Sequence, residues 1–352
     1  MTAIDDQADF TPTRTGAQAR IEFPDGAARE FAVRPGQTVL AAAADAGINL
    51  VSQCQVGTCG TCVARLTSGT AEMLTGQAGA LNSDEIADGQ RLLCRTRLGG
   101  DACFVTDYPS ALTEANPAQL FRTKIQKLDW VAASVVELTL RVPKSVRFTF
   151  SAGQYCRVQV PGTGEWRSYS MASGEHERFR LTFLIRVLET GAMSDYLRKR
   201  ARVGDLLPVE GPRGGFVLDP AARPAVLMAG GTGLAPMLSM IDRIRLLRPP
   251  PPTLLLFGCA KAEDLFYLEE LAARQGFTPN LRIRTALDDN SGNLAVPAGN
   301  PVSALLPEDI TPETVAYLCG PPGMLRAAEQ RLTELGVSPH DIRSEQFVDS
   351  SN

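Results

Sequence analysis

Only two histidines, His176 and His340, occur in the 352 residues. Both lie in polar, loop-like text far from any cysteine cluster. The chain therefore writes neither a Rieske cluster, which needs two histidines on one iron, nor a 2-His-1-carboxylate iron site. Long apolar runs are also missing. Stretches such as "LLLFGCA" (254–260) fall far short of the ~20 residues that a membrane-spanning helix needs. There is no surplus of positive charge either: 35 Lys and Arg face 39 Asp and Glu, for a net charge of −4. That balance argues against nucleic acid or an anionic membrane as a partner, since both call for a concentrated basic face. The opening "MTAIDDQADF" has neither the basic nor the apolar segment of a secretion signal, so the expected location is cytoplasmic.

What the chain does have is eight cysteines and 31 glycines. In the cytoplasm, clustered cysteines bind metal or do redox work more often than they form disulfides. At roughly 100–200 residues per domain, the length predicts two or three domains. Residues 1–18 are polar and aperiodic and read as a flexible tail. Residues 19–106 read as a small, β-rich domain: "QARIEF", a turn at Pro24–Gly26, "REFAVRPG", then a helix "TVLAAAADAG" with Thr38 as N-cap and Gly47 as stop. "DYPSALTEANPAQLF", with two prolines, reads as a linker over 107–119. From 120 to 221 strands alternate with turns around one short helix near "MSDYLRKR", which predicts an antiparallel β-barrel. From 222 to 352 buried strands alternate with helices, which predicts a parallel sheet covered on both faces.

Three cysteines crowd into "CQVGTCGTC". Cys54, Cys59 and Cys62 follow C-x4-C-x2-C, and Cys94 stands further on in "RLLCRTRL". Four thiolates must converge on two irons, and one tight loop can present three of them. Gly57 and Gly60 let that loop curl inward and turn its amides toward the sulfides. Zinc ligands usually come as two short pairs, which this loop does not supply. The spacing is that of a two-iron, two-sulfur cluster, and the segment from about Arg20 to Thr106 resembles the plant-type ferredoxins, a β-grasp α+β fold. Gln55 stands where many of those relatives carry Arg. Cys103, Cys156 and Cys259 lie in strand-like text and read as packing.

Further along, "RSYS" (167–170) opens a strand. Arg167 can neutralise a pyrophosphate and Tyr169 can stack on a ring system, although such a pair is more often packing. In "ETGAMSDYL", Gly191 makes a turn and Ser194 reads as the N-cap of a helix that could hold phosphate or simply be a capped helix. "MAGGTGLAPML" sets a glycine-rich turn between a buried strand and a helix, an arrangement that cradles a dinucleotide phosphate, with Pro236 suited to the first helical turn. It is not G-x-G-x-x-G, because Pro236 occupies the third glycine position.

The ordered set "RSYS", "GAMS", "GGTGLAP" and "CGPPGM" resembles the ferredoxin–NADP reductase superfamily. That resemblance implies a flavin held by Arg167, Ser168, Tyr169, Ser170, Gly191, Met193 and Ser194. It implies a nicotinamide nucleotide held by Gly231, Thr232, Gly233, Pro236, Cys319, Gly320 and Pro321. It also implies that Ser170 and Cys319 line the hydride site, Cys319 being otherwise a packing cysteine at a strand end. "SEQF" puts Glu345 two residues before Phe347, where relatives have an acidic and an aromatic residue near the flavin; a surface Glu beside a buried Phe is the alternative. With the ferredoxin in front, the whole chain resembles the benzoate/anthranilate dioxygenase reductases, and the same order occurs in reductases of soluble di-iron monooxygenases. The implied cofactors are a 2Fe-2S cluster, FAD and NADH. A hydride brings two electrons, the cluster accepts one at a time, and the flavin bridges them. The implied partner is a separate terminal oxygenase, with a Rieske enzyme acting on an aromatic acid favoured over a di-iron hydroxylase, and the chain is expected to be monomeric. In "TALDDNSG", Leu287 and Asp288 fall where NADPH-using relatives place Ser and Arg, so NADH is expected over NADPH, unless the segment is only a solvated turn. A flavin-free binding module that kept the fold is the rival class.

Overall fold

The computed structural model describes residues 16–52, 57, 60–74, 80–114, 118–219, 221–289 and 296–347. The chain divides into two compact units, Met1–Ala115 and Asn116–Asn352.

In the first unit β1 (Ala17–Glu22) and β2 (Ala28–Val33) form a hairpin around the expected turn. α1 (Val39–Asp45) follows, with the Thr38 hydroxyl accepting from the Ala41 amide at 3.3 Å, and it buries Val39, Leu40, Ala42 and Ala43. Next come β3 (Val63–Met73), α2 (Ser83–Ala87), β4 (Gln90–Leu92) and β5 (Thr96–Val105). The sheet order is β2-β1-β5-β3-β4, with β1 and β5 parallel at its centre. Ile21, Phe31, Phe104 and the apolar face of α1 share one core, the grasp expected of a ferredoxin fold. α2 escapes the sequence reading although Asn82 and Glu85 form a reciprocal capping box that marks its start. β1 begins at Ala17, inside the stretch read as a tail. Part of the stretch read as a linker also belongs here. Tyr108 is buried, its hydroxyl accepts from the Val51 amide at 3.2 Å, Ser110 donates to Asp25 at 2.8 Å, and α3 (Ala111–Glu114) follows.

The second unit opens with β6 (Gln119–Ala132), β7 (Val135–Arg141), β8 (Tyr155–Gln159), β9 (Trp166–Ser170), β10 (Arg180–Arg186), α4 (Ala192–Lys199) and β11 (Leu206–Arg213). These strands run β10-β7-β6-β11-β8-β9, antiparallel throughout, and a bridge from Met171 to Phe183 joins the end of β9 to β10 and closes the barrel. Val136, Leu138, Leu140, Phe183, Leu207 and Val209 fill its interior.

The chain then alternates: β12 (Ala225–Gly230), α5 (Leu234–Ile244), β13 (Thr253–Lys261), α6 (Leu268–Phe277), β14 (Leu281–Asp289), β15 (Val315–Gly320), α7 (Pro322–Glu334) and β16 (Ile342–Gln346). The order β14-β13-β12-β15-β16 is parallel throughout. Strands advance to one side of β12 and then to the other, so the topological switch lies between β12 and β15. Ligands of open α/β sheets bind outside the carboxyl ends of strands at such a point. One apolar core, including Val135, Leu184 and Phe216 from the barrel side and Leu227, Leu234 and Phe257 from the sheet, joins the two halves of this unit.

Candidate functional site

At the carboxyl end of β12 the chain turns through Gly231–Gly233 into α5, and no side chain caps that helix. Its leading amides are therefore available to an anion. Across the switch point, β15 ends at Cys319 and Gly320. The two turns approach so closely that a Cβ on Gly233 would overlap the Cys319 carbonyl, which is why glycine stands there. Thr232 is half-buried and Pro236 lies buried in the first turn of α5. Pro321 precedes α7, and Cys319 is fully buried.

β16 lies beside β15 with Glu345 opposite Cys319. Glu345 is only 5% exposed, so the surface alternative is overturned. Its Oε2 accepts from the Ser170 hydroxyl at 2.8 Å, across 175 positions of sequence. Burial pushes the Glu345 carboxyl up to about 7, and the Ser170 hydrogen bond opposes that rise. Burial, and then the neighbouring Glu345, push the Cys319 thiol well up, so it is not a thiolate at neutral pH. The fold thus brings Ser170 from the barrel together with Cys319 and Glu345 from the sheet, beside the glycine turn. Phe347 follows, half-buried against the shared core.

The other flavin-side residues lie along β9 and α4. Arg167 and Tyr169 are half-buried and Ser168 is exposed. Tyr169 packs on Phe183 with ring centroids 6.3 Å apart. The Arg167 guanidinium pairs with Glu165 and donates to the Trp166 carbonyl at 3.1 Å. The cap assignment of Ser194 is corrected. Gly191, at φ 133°, occupies the N-cap of α4, and Ser194 sits in the first turn, where its hydroxyl accepts from the Leu188 amide at 3.0 Å. The tight turn needs that local bond, which takes the hydroxyl away from the helix end. Met193 is buried beside it. The first-turn amides of α4 have no side-chain cap, so the segment still suits a phosphate. Leu287 is fully buried inside β14, where its backbone bonds to Pro297 and Gly299, while Asp288 is exposed.

Sequence reasoning missed Gln154. Its side chain accepts from the Ser151 amide at 2.8 Å and donates to the Gly214 carbonyl at 3.1 Å. Gly214 in turn faces Tyr155 and Glu345. No local pattern marks such a tie between loops 60 positions apart.

In the first unit, Cys62 and Cys94 are both buried, and the Leu93 amide donates to the Cys62 carbonyl at 3.0 Å, so the segments that carry the two cysteines run beside each other. Gly57 is at φ 95°, where a Cβ would press on the Arg95 side chain. Cys54 and Cys59 lie outside the described residues. The buried cysteines on neighbouring segments and the curled glycine backbone fit a cluster held by four cysteines.

Comparisons with known proteins agree with this geometry. Family models match three consecutive segments: a 2Fe-2S iron-sulfur cluster binding domain over residues 22–99, an oxidoreductase FAD-binding domain over 122–218 and an oxidoreductase NAD-binding domain over 227–330. The chain is 33% identical over 333 residues to the anthranilate 1,2-dioxygenase electron transfer component of Acinetobacter baylyi, covering 94% of this chain and 97% of that one. It is 36% identical over 271 residues to methane monooxygenase component C of Methylosinus trichosporium, covering 75% and 79%. Among solved structures, the Amycolatopsis cytochrome P450 reductase GcoB superposes with a TM-score of 0.73 at 29% identity, over 94% of this chain and 99% of that one. The chain belongs to the family of oxygenase electron-transfer components, NADH-dependent flavin oxidoreductases in which a 2Fe-2S ferredoxin domain is fused to an FAD- and NAD-binding reductase.

Proposed function

We propose that this chain draws electrons from NADH and delivers them singly to a separate Rieske dioxygenase that acts on an aromatic acid. The observation that carries the reductase chemistry is the meeting of barrel-borne Ser170 with sheet-borne Glu345 and Cys319 at the switch point. Bound FAD would supply a carrier that takes up two electrons together and gives them up singly, and a 2Fe-2S cluster would supply a one-electron acceptor. Arg167, Ser168, Tyr169, Ser170, Gly191, Met193 and Ser194 hold the flavin; Gly231, Thr232, Gly233, Pro236, Gly320 and Pro321 hold the nucleotide. Cys54, Cys59, Cys62 and Cys94 hold the cluster. Ser170 and Cys319 orient the reacting rings and, with the buried wall around them, exclude water. Glu345, about half-protonated near pH 7, holds a proton at Oε within reach of Ser170. Asp288 repels a 2′-phosphate and so favours NADH. The chain works as a cytoplasmic monomer, with domain limits near 17–114, 119–221 and 222–352.

The end-to-end likeness to the anthranilate component supports the Rieske acceptor. The methane monooxygenase relative, higher in identity over a shorter stretch, supports a di-iron hydroxylase as the second reading. The test is reconstitution. Purified protein with NADH reduces cytochrome c or a dye and hydroxylates nothing alone. Coupled turnover with a Rieske dioxygenase from the same gene cluster supports the proposal. Turnover only with a di-iron hydroxylase, or only with a cytochrome P450, rejects it.

A further inference from the structure

The apolar core shared by barrel and sheet presses the two halves together, but apolar contact is non-directional, so their orientation is set by directional bonds. Directional contacts sit at its rim. There the turn between β6 and β7 meets the segment 261–267, which leaves the carboxyl end of β13. The Ala133 amide donates to the Glu263 carbonyl at 3.0 Å. The Ser134 hydroxyl donates to Asp264 Oδ1, and the Ser134 carbonyl accepts from the Val187 amide at 2.7 Å, which anchors the turn to the barrel. Tyr267 donates to Glu137 on β7. Beneath these bonds Val131, Ala132 and Val135 pack in the same cluster as Leu265, Phe266 and Tyr267. Phe266 lies edge-on to both Phe257 and Tyr267, with centroids 5.4 Å away in each case. Tyr267 itself stands at φ 61°, a left-handed conformation that an aromatic residue adopts only where its surroundings hold it.

The same segment is tied inward. The Cys259 thiol donates to the Asp264 carbonyl at 3.2 Å. Burial pushes that thiol up to about 12, Asp264 adds to the rise, and a hydrogen bond from the Gly231 amide opposes it. Asp264 therefore has its carboxylate on the barrel's turn and its carbonyl on a thiol that touches the glycine turn. Further polar contacts also join the halves: Ser170 with Glu345 lies at the site itself, and Arg243 with Glu175 at 3.1 Å has an Arg side chain 46% exposed and is screened by solvent.

We infer that Asp264, together with Ser134, is a positioning residue for hydride transfer: the pair locks the glycine turn at the sheet's carboxyl end to the flavin barrel and so sets the approach of nicotinamide to flavin. Hydride transfer needs the reacting atoms at about 3–3.5 Å, and a displacement of about 1 Å can cost about a hundredfold in rate. A lock at the rim matters because the two rings are held by different halves. The inference rests on flavin binding to the barrel and nucleotide binding to the sheet.

The test uses the full chain loaded with FAD and cluster, as wild type, Ser134→Ala, Asp264→Asn, the double variant and Ser134→Thr. Flavin reduction by NADH and by NADH deuterated at C4 is followed in a stopped-flow instrument. The expected result is a reduction about tenfold slower in each Ala or Asn variant, with a larger isotope effect and unchanged flavin and iron content. The double variant is expected to be no slower than the worse single, since both remove one bond, and Ser134→Thr to recover most of the rate. Hydrogen exchange without NADH is the second readout: peptides covering 131–137 and 261–267 should exchange faster in the variants, while the barrel interior stays protected. Flavin reduction within twofold of wild type in both single variants, with an unchanged isotope effect, overturns the inference whatever the exchange shows. Unchanged exchange in 131–137 and 261–267 also overturns it. A wild type that NADH does not reduce speaks against the cofactor assignment instead, and the exchange comparison still decides whether the lock exists.

Discussion

Replacing Glu345 with Gln should make the second unit more stable at alkaline pH and leave it nearly unchanged below about pH 4.5. Burial raises the folded carboxyl from its usual 4.5 to about 7. The folded state therefore binds the proton more tightly than the unfolded chain does, and stability falls as pH rises through the window from 4.5 to about 7. At about 1.4 kcal/mol per pH unit the full loss is about 3 kcal/mol, of which about 2 kcal/mol falls between pH 5.5 and pH 8. Gln has the same shape, can still accept from the Ser170 hydroxyl and does not titrate. Any fixed packing cost of the amide is the same at both pH values and cancels in the comparison. The two tryptophans, Trp130 and Trp166, both lie in the second unit, so their fluorescence reports its unfolding without interference from the first. For a domain of this size about 2 kcal/mol corresponds to a shift of roughly 4–8 °C in melting temperature. The variant should melt that much higher relative to wild type at pH 8 than it does at pH 5.5. If the gap between the two proteins is the same at both pH values, Glu345 does not carry a raised pKa, and the picture of a carboxyl poised near neutrality is wrong.

Cys94→Ser should lose cluster iron and the cluster EPR signal while NADH-driven reduction of a flavin-reactive dye persists; full iron with an unchanged signal would remove Cys94 from the ligand set. Arg167→Ala should weaken FAD about ten- to hundredfold, since a charge-assisted contact contributes about 1.5–3 kcal/mol, and dialysis against buffer with flavin absorbance as the readout checks this. Gly233→Ala forces a methyl into the Cys319 carbonyl and should lower stability by about 1–3 kcal/mol while raising KM for NADH far more than it alters flavin content. Asp288→Arg should raise kcat/KM for NADPH and lower it little for NADH; an unchanged coenzyme ratio argues against contact between this side chain and the nucleotide.

Features governed by local rules were legible in the sequence. Thr38 caps its helix as its type demands. The buried β12 "AVLMAG" reads as a parallel strand because both faces are covered. The glycine turn reads as a nucleotide cradle because its backbone must approach another backbone, which the contact with Cys319 displays. Features set by distant partners were not legible. Ser194 looks like a cap, but the Leu188 amide claims its hydroxyl. Residues 107–114 look like a linker because prolines and weak periodicity say nothing about the Val51 amide that awaits Tyr108. Glu345 reads as a surface residue by type; the family resemblance placed it near the flavin, but the burial that raises its carboxyl comes from the return of β16 beside β15. Asp264 and Ser134 stand 130 positions apart and carry no motif at all.

The bond between Ser170 and Glu345 has a kinetic consequence for how the molecule comes into being. Its two ends are separated by 175 positions, and one belongs to the last strand of the parallel sheet. Contacts of such long sequence separation form late, because the intervening chain must be ordered before they return any free energy. During refolding of the second unit, barrel fluorescence and helical signal should recover first, and capacity for hydride transfer should lag behind both.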